Sequence, residues 1–140
     1  MDADLLEIRD YEGEGYQPLI AYGDWRVAVL RYQQDLNPDQ ITSMERHTKT
    51  DEVFILLRGS GILFLGGNHP EVDGIHPQVM EIGKIYNVKC NAWHTVALSP
   101  DAKILLVENR DTDTDNSEYT KLASEWLKAI RDFANQQRHT

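Results

Sequence analysis

The sequence predicts an all-β barrel or sandwich that is followed by one C-terminal α-helix. Short runs rich in β-branched and aromatic residues recur along most of the chain, which is the composition of β-strands. Turn residues separate these runs at spacings of roughly 8–12 residues, as they do in all-β sandwiches and barrels. Near the end of the chain the apolar residues change to helical spacing, which indicates a different element there.

The predicted strands follow one another with a turn signal between most of them. Trp25–Tyr32 is the first strand, and Asn37-Pro38-Asp39 is the turn that precedes the second. The other predicted strands are Ile41–His47, Glu52–Leu57, Ile62–Leu65, Val79–Ile82, Ile85–Val88, Trp93–Leu98 and Lys103–Val107.

The middle of the chain carries the strongest turn signals. Glu52–Leu57 is apolar on both faces, which predicts a strand that is buried on both sides. Gly59-Ser60-Gly61 predicts a hairpin turn, so that Ile62–Leu65 would be the return strand. Gly66–Gln78 contains three glycines and two prolines and is predicted to be a long loop.

The C-terminal region predicts an amphipathic helix over about residues 118–136. Asp111–Ser117 is polar and supplies candidate N-cap side chains. The apolar stripe is expected to pack on the barrel or on a partner subunit. Its residues at helical spacing are Leu122, Trp126, Ile130 and Phe133.

Size and charge limit the classes of function. A chain of 140 residues fits one domain, taken here as residues 1–140 with a barrel core of about 18–110. The net charge of −9 repels phosphate backbones and anionic lipids, so nucleic-acid and membrane roles are not expected. Cys90 is the single cysteine, which excludes an intrachain disulfide and a cysteine-rich zinc site.

Targeting signals are not apparent. Met1–Glu7 is acidic and lacks the apolar core of a signal peptide. The chain has no apolar run near the roughly 18 residues that a membrane span needs. We therefore expect a cytoplasmic protein.

The spacing of four polar side chains, Glu45, His47, Glu52 and His94, is compatible with their lying close together. Glu45 and His47 are two residues apart in a predicted strand, so they project from the same face. Glu52 begins the next strand after a short connection and can lie beside them. The turn at Lys89-Cys90-Asn91 could return His94 to the same place, because Asn tolerates a positive φ.

These residues give the chain a resemblance to the cupin superfamily, in particular to small single-domain cupins. Glu45-x-His47-x4-Glu52-x6-Gly59 resembles the first cupin motif, with Glu45 where the motif has its first His. Asp39 stands where that motif opens with Gly. Gly83-x5-Lys89-x-Asn91-x2-His94-x3-Leu98 resembles the second cupin motif, and of these positions Gly83 and His94 match. Lys89, Asn91 and Leu98 depart from the motif.

The resemblance implies a double-stranded β-helix, also described as a jelly-roll-like barrel, in which all four side chains converge. Glu45, His47, Glu52 and His94 would then hold one divalent metal ion, Fe, Mn or Zn. A second alignment places His47 and Lys49 at the two His positions, which leaves only three protein ligands because protonated Lys49 does not ligate. In a metal-free pocket, His47 or His94 would act as an acid or base, as in cupin-type sugar isomerases and epimerases.

The sequence is therefore compatible with three functions. The first is a metal-dependent enzyme on a small molecule, of the oxygenase, isomerase or lyase class. The second is a metal-free isomerase or epimerase acting on a sugar or a keto acid. The third is a non-catalytic small-molecule-binding cupin. The fold does not decide between enzyme and binding protein, because it hosts many functions. The apolar faces of Glu52–Leu57 and of the helix also predict a homodimer.

Other polar residues are weaker candidates. His69 and His76 lie in the long loop and are predicted to be exposed. Cys90 lies next to Lys89 in the second-motif turn and is expected to be a spectator. Arg26 is predicted to lie on the surface, and His139 is expected to be disordered near the terminus.

Overall fold

A computed structural model describes residue 2 and residues 4–138, and His139 lies outside the described residues. Within this part of the chain, ten strands form two five-stranded antiparallel sheets, and one α-helix follows them. The elements are β1 (Gly15–Tyr22), β2 (Trp25–Arg31), β3 (Ser43–His47), β4 (Glu52–Arg58), β5 (Gly61–Leu65), β6 (His76–Val79), β7 (Ile85–Val88), β8 (His94–Leu98), β9 (Lys103–Asn109), β10 (Ser117–Lys121) and α1 (Ser124–Arg138).

The two sheets enclose the main core between them. The first sheet has the strand order β1-β2-β9-β4-β7, and the second has the order β10-β3-β8-β5-β6. Alternate residues of β4 and β9 point inward, as the two-residue period of a strand requires. The largest of these core residues include Phe54, Leu56, Leu63, Ile104 and Leu106. The all-β prediction with a C-terminal helix is therefore confirmed.

Helix α1 packs its apolar stripe on the second sheet. Ile130 is fully buried and shares a cluster with Phe64 of β5 and Trp93. Phe133 meets Phe64 edge to face, with the two ring centroids 6.2 Å apart. The helix is shorter than predicted at its start, because residues 117–121 form β10 and pair with β3. Pairing with a distant strand overrides the local helical pattern there.

Strand β1 was not predicted. Its sequence contains Pro18, and the pairing of β1 with β2 shifts register between Pro18 and Ile20. Proline is accepted in a strand at a sheet edge or at a bulge, and β1 provides both. The local sequence therefore lacks a continuous strand signal.

The hairpin predicted at Gly59-Ser60-Gly61 is wrong. Strand β4 belongs to the first sheet and β5 to the second, so this segment carries the chain between sheets. Gly59 has a φ of +75°, and an added Cβ atom would lie 2.7 Å from the Cα atom of Ala102. Glycine is needed here both for the backbone conformation and for the close approach of two chain segments.

Two further predictions need correction. The strand predicted at Val79–Ile82 lies earlier, at His76–Val79, inside the segment that was predicted to be a loop. Its pairing with β5 sets its position, and Pro77 is tolerated because β6 is an edge strand. The outer face of β4 is only partly buried, and Leu57 is 46% exposed.

No helix in the described residues is both long and apolar enough to cross a membrane.

We expect Gly59→Ala to destabilise the fold more than Gly83→Ala does. Both glycines have a positive φ, which costs an alanine roughly 1–2 kcal/mol. Only Gly59 faces a backbone contact, whereas an added Cβ at Gly83 meets nothing within 4 Å. The expected losses in the free energy of unfolding are about 3 kcal/mol for Gly59→Ala and about 1 kcal/mol for Gly83→Ala. Urea unfolding of both variants measures them, and equal losses would contradict this account of Gly59.

Candidate metal centre

Two carboxylate and two imidazole side chains converge where the two sheets meet. Glu45 and His47 project from β3, His94 begins β8, and Glu52 begins β4. Glu45 and His94 lie directly opposite each other on neighbouring strands of the second sheet. Glu52 reaches them from the first sheet. One ligand atom from each of the four residues lies within 4.8 Å of the others.

The connections on either side hold these strands in place. Asn91 has a φ of 69°, as the sequence indicated, and its backbone N–H donates to the carbonyl of His47. The backbone N–H of Cys90 donates to a carboxylate oxygen of Asp51 at 2.8 Å. The turn before β8 is therefore tied to the end of β3 and to the connection that leads into β4. Because of these bonds, His94 and Glu52 are positioned against His47 by backbone structure.

Glu52 is the central residue of the cluster. Its Oε1 atom lies 3.3 Å from Nε2 of His47 and 3.2 Å from Nε2 of His94. The Oε1 atom of Glu45 is 4.0 Å and 3.9 Å from the same two nitrogen atoms. His47, Glu52 and His94 are buried, whereas the Glu45 side chain is 39% exposed. Glu45 therefore borders both the cluster and the space outside it.

The outer ring nitrogens fix the orientation of both histidines. Nδ1 of His94 lies 3.0 Å from the carbonyl oxygen of Ala92, which can only accept a hydrogen bond. Nδ1 must therefore carry a proton, and a neutral His94 presents a lone pair on Nε2 toward Glu52. Nδ1 of His47 lies 2.8 Å from the hydroxyl oxygen of Ser117. The Nε2 atom of His94 and the Oε1 atom of Glu52 therefore face each other in an arrangement that a shared proton or a metal ion would stabilise.

The charges of the cluster agree with that arrangement. Burial acts to raise the pKa of Glu52, but its contacts with His47 and His94 hold this pKa well below its ordinary value. Burial acts to lower the pKa of His47, but Glu52 and Glu45 raise it above its ordinary value. The site thus stabilises a carboxylate together with positive charge, which either a proton or a metal ion can supply.

A second buried carboxyl group, Glu108, lies behind Glu52. Glu108 is on the neighbouring strand β9, where it contacts Glu52 and faces Arg26 across the β2–β9 pair. The Tyr16 hydroxyl donates to Oε1 of Glu108 at 2.5 Å, and Arg26 donates to the same oxygen at 3.0 Å and 2.9 Å. Burial and the neighbouring Glu52 raise the pKa of Glu108 to about 7. The surface position expected for Arg26 is wrong, since only 19% of its side chain is exposed.

Glu108 was not predicted from the sequence, although the alternation of buried residues in β9 points to it. Glu108 lies two and four residues after Leu106 and Ile104, which are inward-facing core residues of β9. An acidic residue that continues the inward face of an apolar strand is therefore expected to be buried. Tyr16 had no such signal, because β1 itself was not recognised.

A cavity of about 260 Å³ opens beside the cluster. Glu45, Glu52 and His94 form part of its wall. Its apolar wall includes Leu30, Leu36, Ile41, Phe54, Val96 and Leu106. Its other polar residues are Asp35, Gln40, Thr42, Ser43, Thr95 and Tyr119.

The remaining sequence candidates lie outside the cluster. Lys49 is exposed in the connection after β3, so the structure brings Glu45, and not Lys49, toward His47. His69 lies in the loop before β6 and is 72% exposed. His76 is the first residue of β6 and is 67% exposed, and both histidines lie near Asp73. The thiol of Cys90 faces the carbonyl of His47 at 3.6 Å.

The donor set fits a divalent metal ion. A metal–ligand distance of about 2.1 Å separates neighbouring ligand atoms by about 3.0 Å in an octahedron and about 3.4 Å in a tetrahedron. The two distances from Glu52 to the histidines match these values. The two distances from Glu45 are longer, so this partly exposed side chain would have to move inward to bind the same ion. Two imidazoles and two carboxylates suit Fe, Mn or Zn.

The barrel of two antiparallel sheets with a His/Glu cluster between them defines this protein as a cupin. The family model described as auxin binding protein matches residues 20–112, which is more than half of the chain. The chain therefore belongs to the auxin-binding protein family. It is 29% identical over 119 residues to auxin-binding protein 4 of Zea mays, and the match covers 78% of this chain. The chain spans only 56% of the length of that relative.

Solved structures agree with the fold. A cupin-2 domain protein of Shewanella frigidimarina superposes with a TM-score of 0.51 at 16% identity, covering 71% of this chain and 85% of that one. The nucleoside dehydratase Pac13, a Streptomyces protein, superposes with a TM-score of 0.52 at 10% identity, covering 82% and 86%. Identities this low show a common fold and nothing about the reaction.

We expect Arg26→Met to destabilise the protein through Glu108. The substitution leaves a buried carboxyl group without its cation, which costs about 2–3 kcal/mol. The double variant Arg26→Met/Glu108→Gln removes the unpaired charge and should recover about 1 kcal/mol or more of that loss. Urea unfolding of the two single variants and the double variant measures the coupling. Strictly additive losses would contradict the pairing of Arg26 with Glu108.

Proposed function

We propose that this protein is a metal-dependent cupin that binds a small molecule in the barrel cavity. Glu45, His47, Glu52 and His94 hold one divalent ion, Fe, Mn or Zn. When bound, such an ion acts as a Lewis acid or as an oxygen-binding centre, which suits oxygenase, isomerase or lyase chemistry. The protein residues bind the ion, orient the ligand against it and exclude water from the apolar part of the cavity.

The orientation of His94 carries this proposal. Its Nδ1–H bond to the carbonyl of Ala92 leaves the Nε2 lone pair directed at the other three side chains. A metal-binding histidine typically donates its second ring nitrogen to a carbonyl or a carboxylate, which fixes the ring for metal binding. Nδ1 of His47 is also engaged, 2.8 Å from the Ser117 hydroxyl, which holds the ring but can either donate or accept. Both rings are therefore held in advance in the orientation that a metal ion needs.

The two carboxylates influence which metal is favoured. A site with two imidazoles and two carboxylates is harder than a site with thiolate or thioether ligands, so it favours Mn, Fe or Zn over Cu(I). The cavity beside Glu45, Glu52 and His94 leaves room for a ligand to reach the ion. Relatives named for auxin binding, and a structural neighbour named as a dehydratase, are consistent with a small-molecule ligand.

A metal-free acid–base enzyme is the second candidate. The same geometry is satisfied if His94 is an imidazolium that donates to Glu52 at 3.2 Å. A protonated histidine beside a buried carboxylate is a general acid–base pair, as an isomerase or epimerase of a sugar or keto acid would need. A non-catalytic binding protein would use the same cavity without turnover.

Metal content separates the metal-dependent candidate from the other two. Protein purified without a His-tag or chelator is expected to contain about one Fe, Mn or Zn per chain, measured by mass spectrometry, because four protein ligands converge there. The His47→Ala/His94→Ala variant should lose the metal. The matched control His69→Ala/His76→Ala removes two exposed histidines outside the cluster and should keep it.

The alternative outcomes are equally clear. If wild-type protein stays metal-free after reconstitution with Fe(II), Mn(II) and Zn(II), the metal proposal is wrong. Turnover of a panel of sugar nucleotides and keto acids would then support the acid–base enzyme, and binding without turnover would support the ligand-binding protein.

We further propose that the protein is a homodimer that pairs through the outer face of its first sheet. Ile85, Ile55 and Leu105 form an aliphatic row across β7, β4 and β9 on that face, and Ile85 is 71% exposed. Exposed apolar patches of this kind mark interaction surfaces. A second copy is the natural partner because a two-fold axis would place each row against its equivalent.

The cytoplasmic location stays a prediction from the sequence.

Light scattering tests the dimer. The wild-type protein is expected to show twice the mass of the 16.1 kDa chain. Ile85→Lys should give monomers, because it places a charge in the aliphatic row. Val79→Lys, at an exposed position on the edge of the second sheet, is the control and should leave the dimer intact. A monomeric wild-type protein would contradict this proposal.

A further inference from the structure

The carboxyl group of Glu108 lies directly beside that of Glu52 in the first sheet. The pairing of β4 with β9 places Val53 opposite Val107, and one step further along these two strands places Glu52 opposite Glu108. The two carboxyl groups are in contact, and the residues are only 5% and 6% exposed. Such a contact is unfavourable in a buried place unless other groups stabilise it.

Three hydrogen bonds end on one oxygen atom of Glu108. The Tyr16 hydroxyl donates to Oε1 at 2.5 Å, and Nε and Nη2 of Arg26 donate to the same atom at 3.0 Å and 2.9 Å. Arg26 is itself anchored, because it also donates to two backbone carbonyl oxygens at 3.0 Å and 2.7 Å. The Glu108 carboxyl group is therefore fixed in orientation, and its other oxygen is left for Glu52.

The contact between Glu108 and Glu52 needs a hydrogen atom between the two carboxyl groups. Without one, both groups can only accept hydrogen bonds, and their oxygen atoms repel each other. Oε1 of Glu52 faces Nε2 of His47 and of His94 at 3.3 Å and 3.2 Å, where positive charge favours the carboxylate form. Glu108 is therefore the donor in this contact, and Glu52 is the acceptor.

We infer that Glu108, set in place by Tyr16 and Arg26, is the positioning residue that holds the Glu52 carboxylate in its orientation toward the two histidines. Glu108 does not line the cavity, so it acts on the site through Glu52 alone. Carboxylates that bind metals are themselves hydrogen-bonded, and loss of such an outer partner typically lowers metal affinity by roughly 10- to 100-fold. The inference rests on the proposed metal site.

Two double variants separate this hydrogen bond from the charge of Glu108. Arg26→Met/Glu108→Gln keeps a side-chain N–H that can donate to Glu52. Arg26→Met/Glu108→Leu keeps a side chain of similar bulk but has no donor. Arg26 is replaced in both, so neither variant buries an unpaired cation, and replacement of a buried ion pair by apolar residues is often tolerated. The single variant Glu108→Gln completes the set.

Competition titration of Zn(II) against a chromophoric zinc indicator measures the affinity of each protein. We expect Arg26→Met/Glu108→Leu to bind Zn(II) at least about tenfold more weakly than wild type. The two variants that carry Gln at this position should stay within about threefold of wild type, because the donor to Glu52 is kept. The visible absorption spectrum of the Co(II)-loaded proteins is a second readout. It should change in the Leu variant and keep the wild-type form in both Gln variants.

Tyr16→Phe tests the same inference from the far side of Glu108. The Tyr16 side chain is partly exposed, so this variant is expected to fold. It removes one of the three hydrogen bonds on Oε1 of Glu108, and we expect a roughly two- to fivefold weaker affinity for Zn(II). Gly59→Ala is the control for stability, since it is expected to destabilise the fold at the opposite end of β4. Its affinity for Zn(II) should stay within about threefold of wild type.

The outcomes distinguish this inference from the proposed function. If wild-type protein binds Zn(II) and the Leu variant binds it equally well, the inference is overturned and the metal site stands. Equal losses in the Leu and Gln double variants, wild-type affinity in Tyr16→Phe, or a loss in Gly59→Ala as large as that in the Leu variant would also overturn it. Wild-type protein that binds no Zn(II), Mn(II) or Fe(II) would overturn the proposed metal site, and this inference with it.

Discussion

The buried carboxylate of Glu52 is the constraint on which the rest of the site depends. A carboxylate that is removed from water is unstable unless positive charge or hydrogen-bond donors surround it. His47 and His94 approach it from the second sheet, and Glu108 with Arg26 and Tyr16 lies behind it in the first sheet. The two sheets must therefore meet in one register at this point. A one-residue slip of any contributing strand would turn its side chain to the opposite face and leave the charge unpaired.

The backbone around the cluster explains why such a demanding arrangement is stable. Gly59 allows β4 to leave one sheet and β5 to enter the other, and Asn91 adopts the positive φ that returns β8 to His47. Both turns are held by contacts with distant parts of the chain. The strain of these conformations is absorbed by the fold, so the backbone positions the four side chains of the cluster. Preorganisation of this kind is what a metal site or an acid–base pair needs.

Glu45 belongs to the cluster and also to the wall of the neighbouring cavity. If a divalent ion is bound as proposed, a histidine at this position would leave it with one carboxylate, whereas Glu45 would supply a second. The fold is common to proteins of many activities, so the properties of the ligand must be derived from the residues that surround it.

The sequence by itself determined the fold class and the order of most strands, because these depend on local composition, and its resemblance to cupins implied the four residues of the cluster. The two-residue period places Glu45 and His47 on one face, and the motif spacing points to Glu52 and His94. Only the tertiary structure decided the rest. Strand β10 forms where a helix was predicted because it pairs with β3, and Glu108 joins the site because β9 lies beside β4. The orientation of His94, the cavity and its charge arise from contacts between residues far apart in sequence, which no local pattern records.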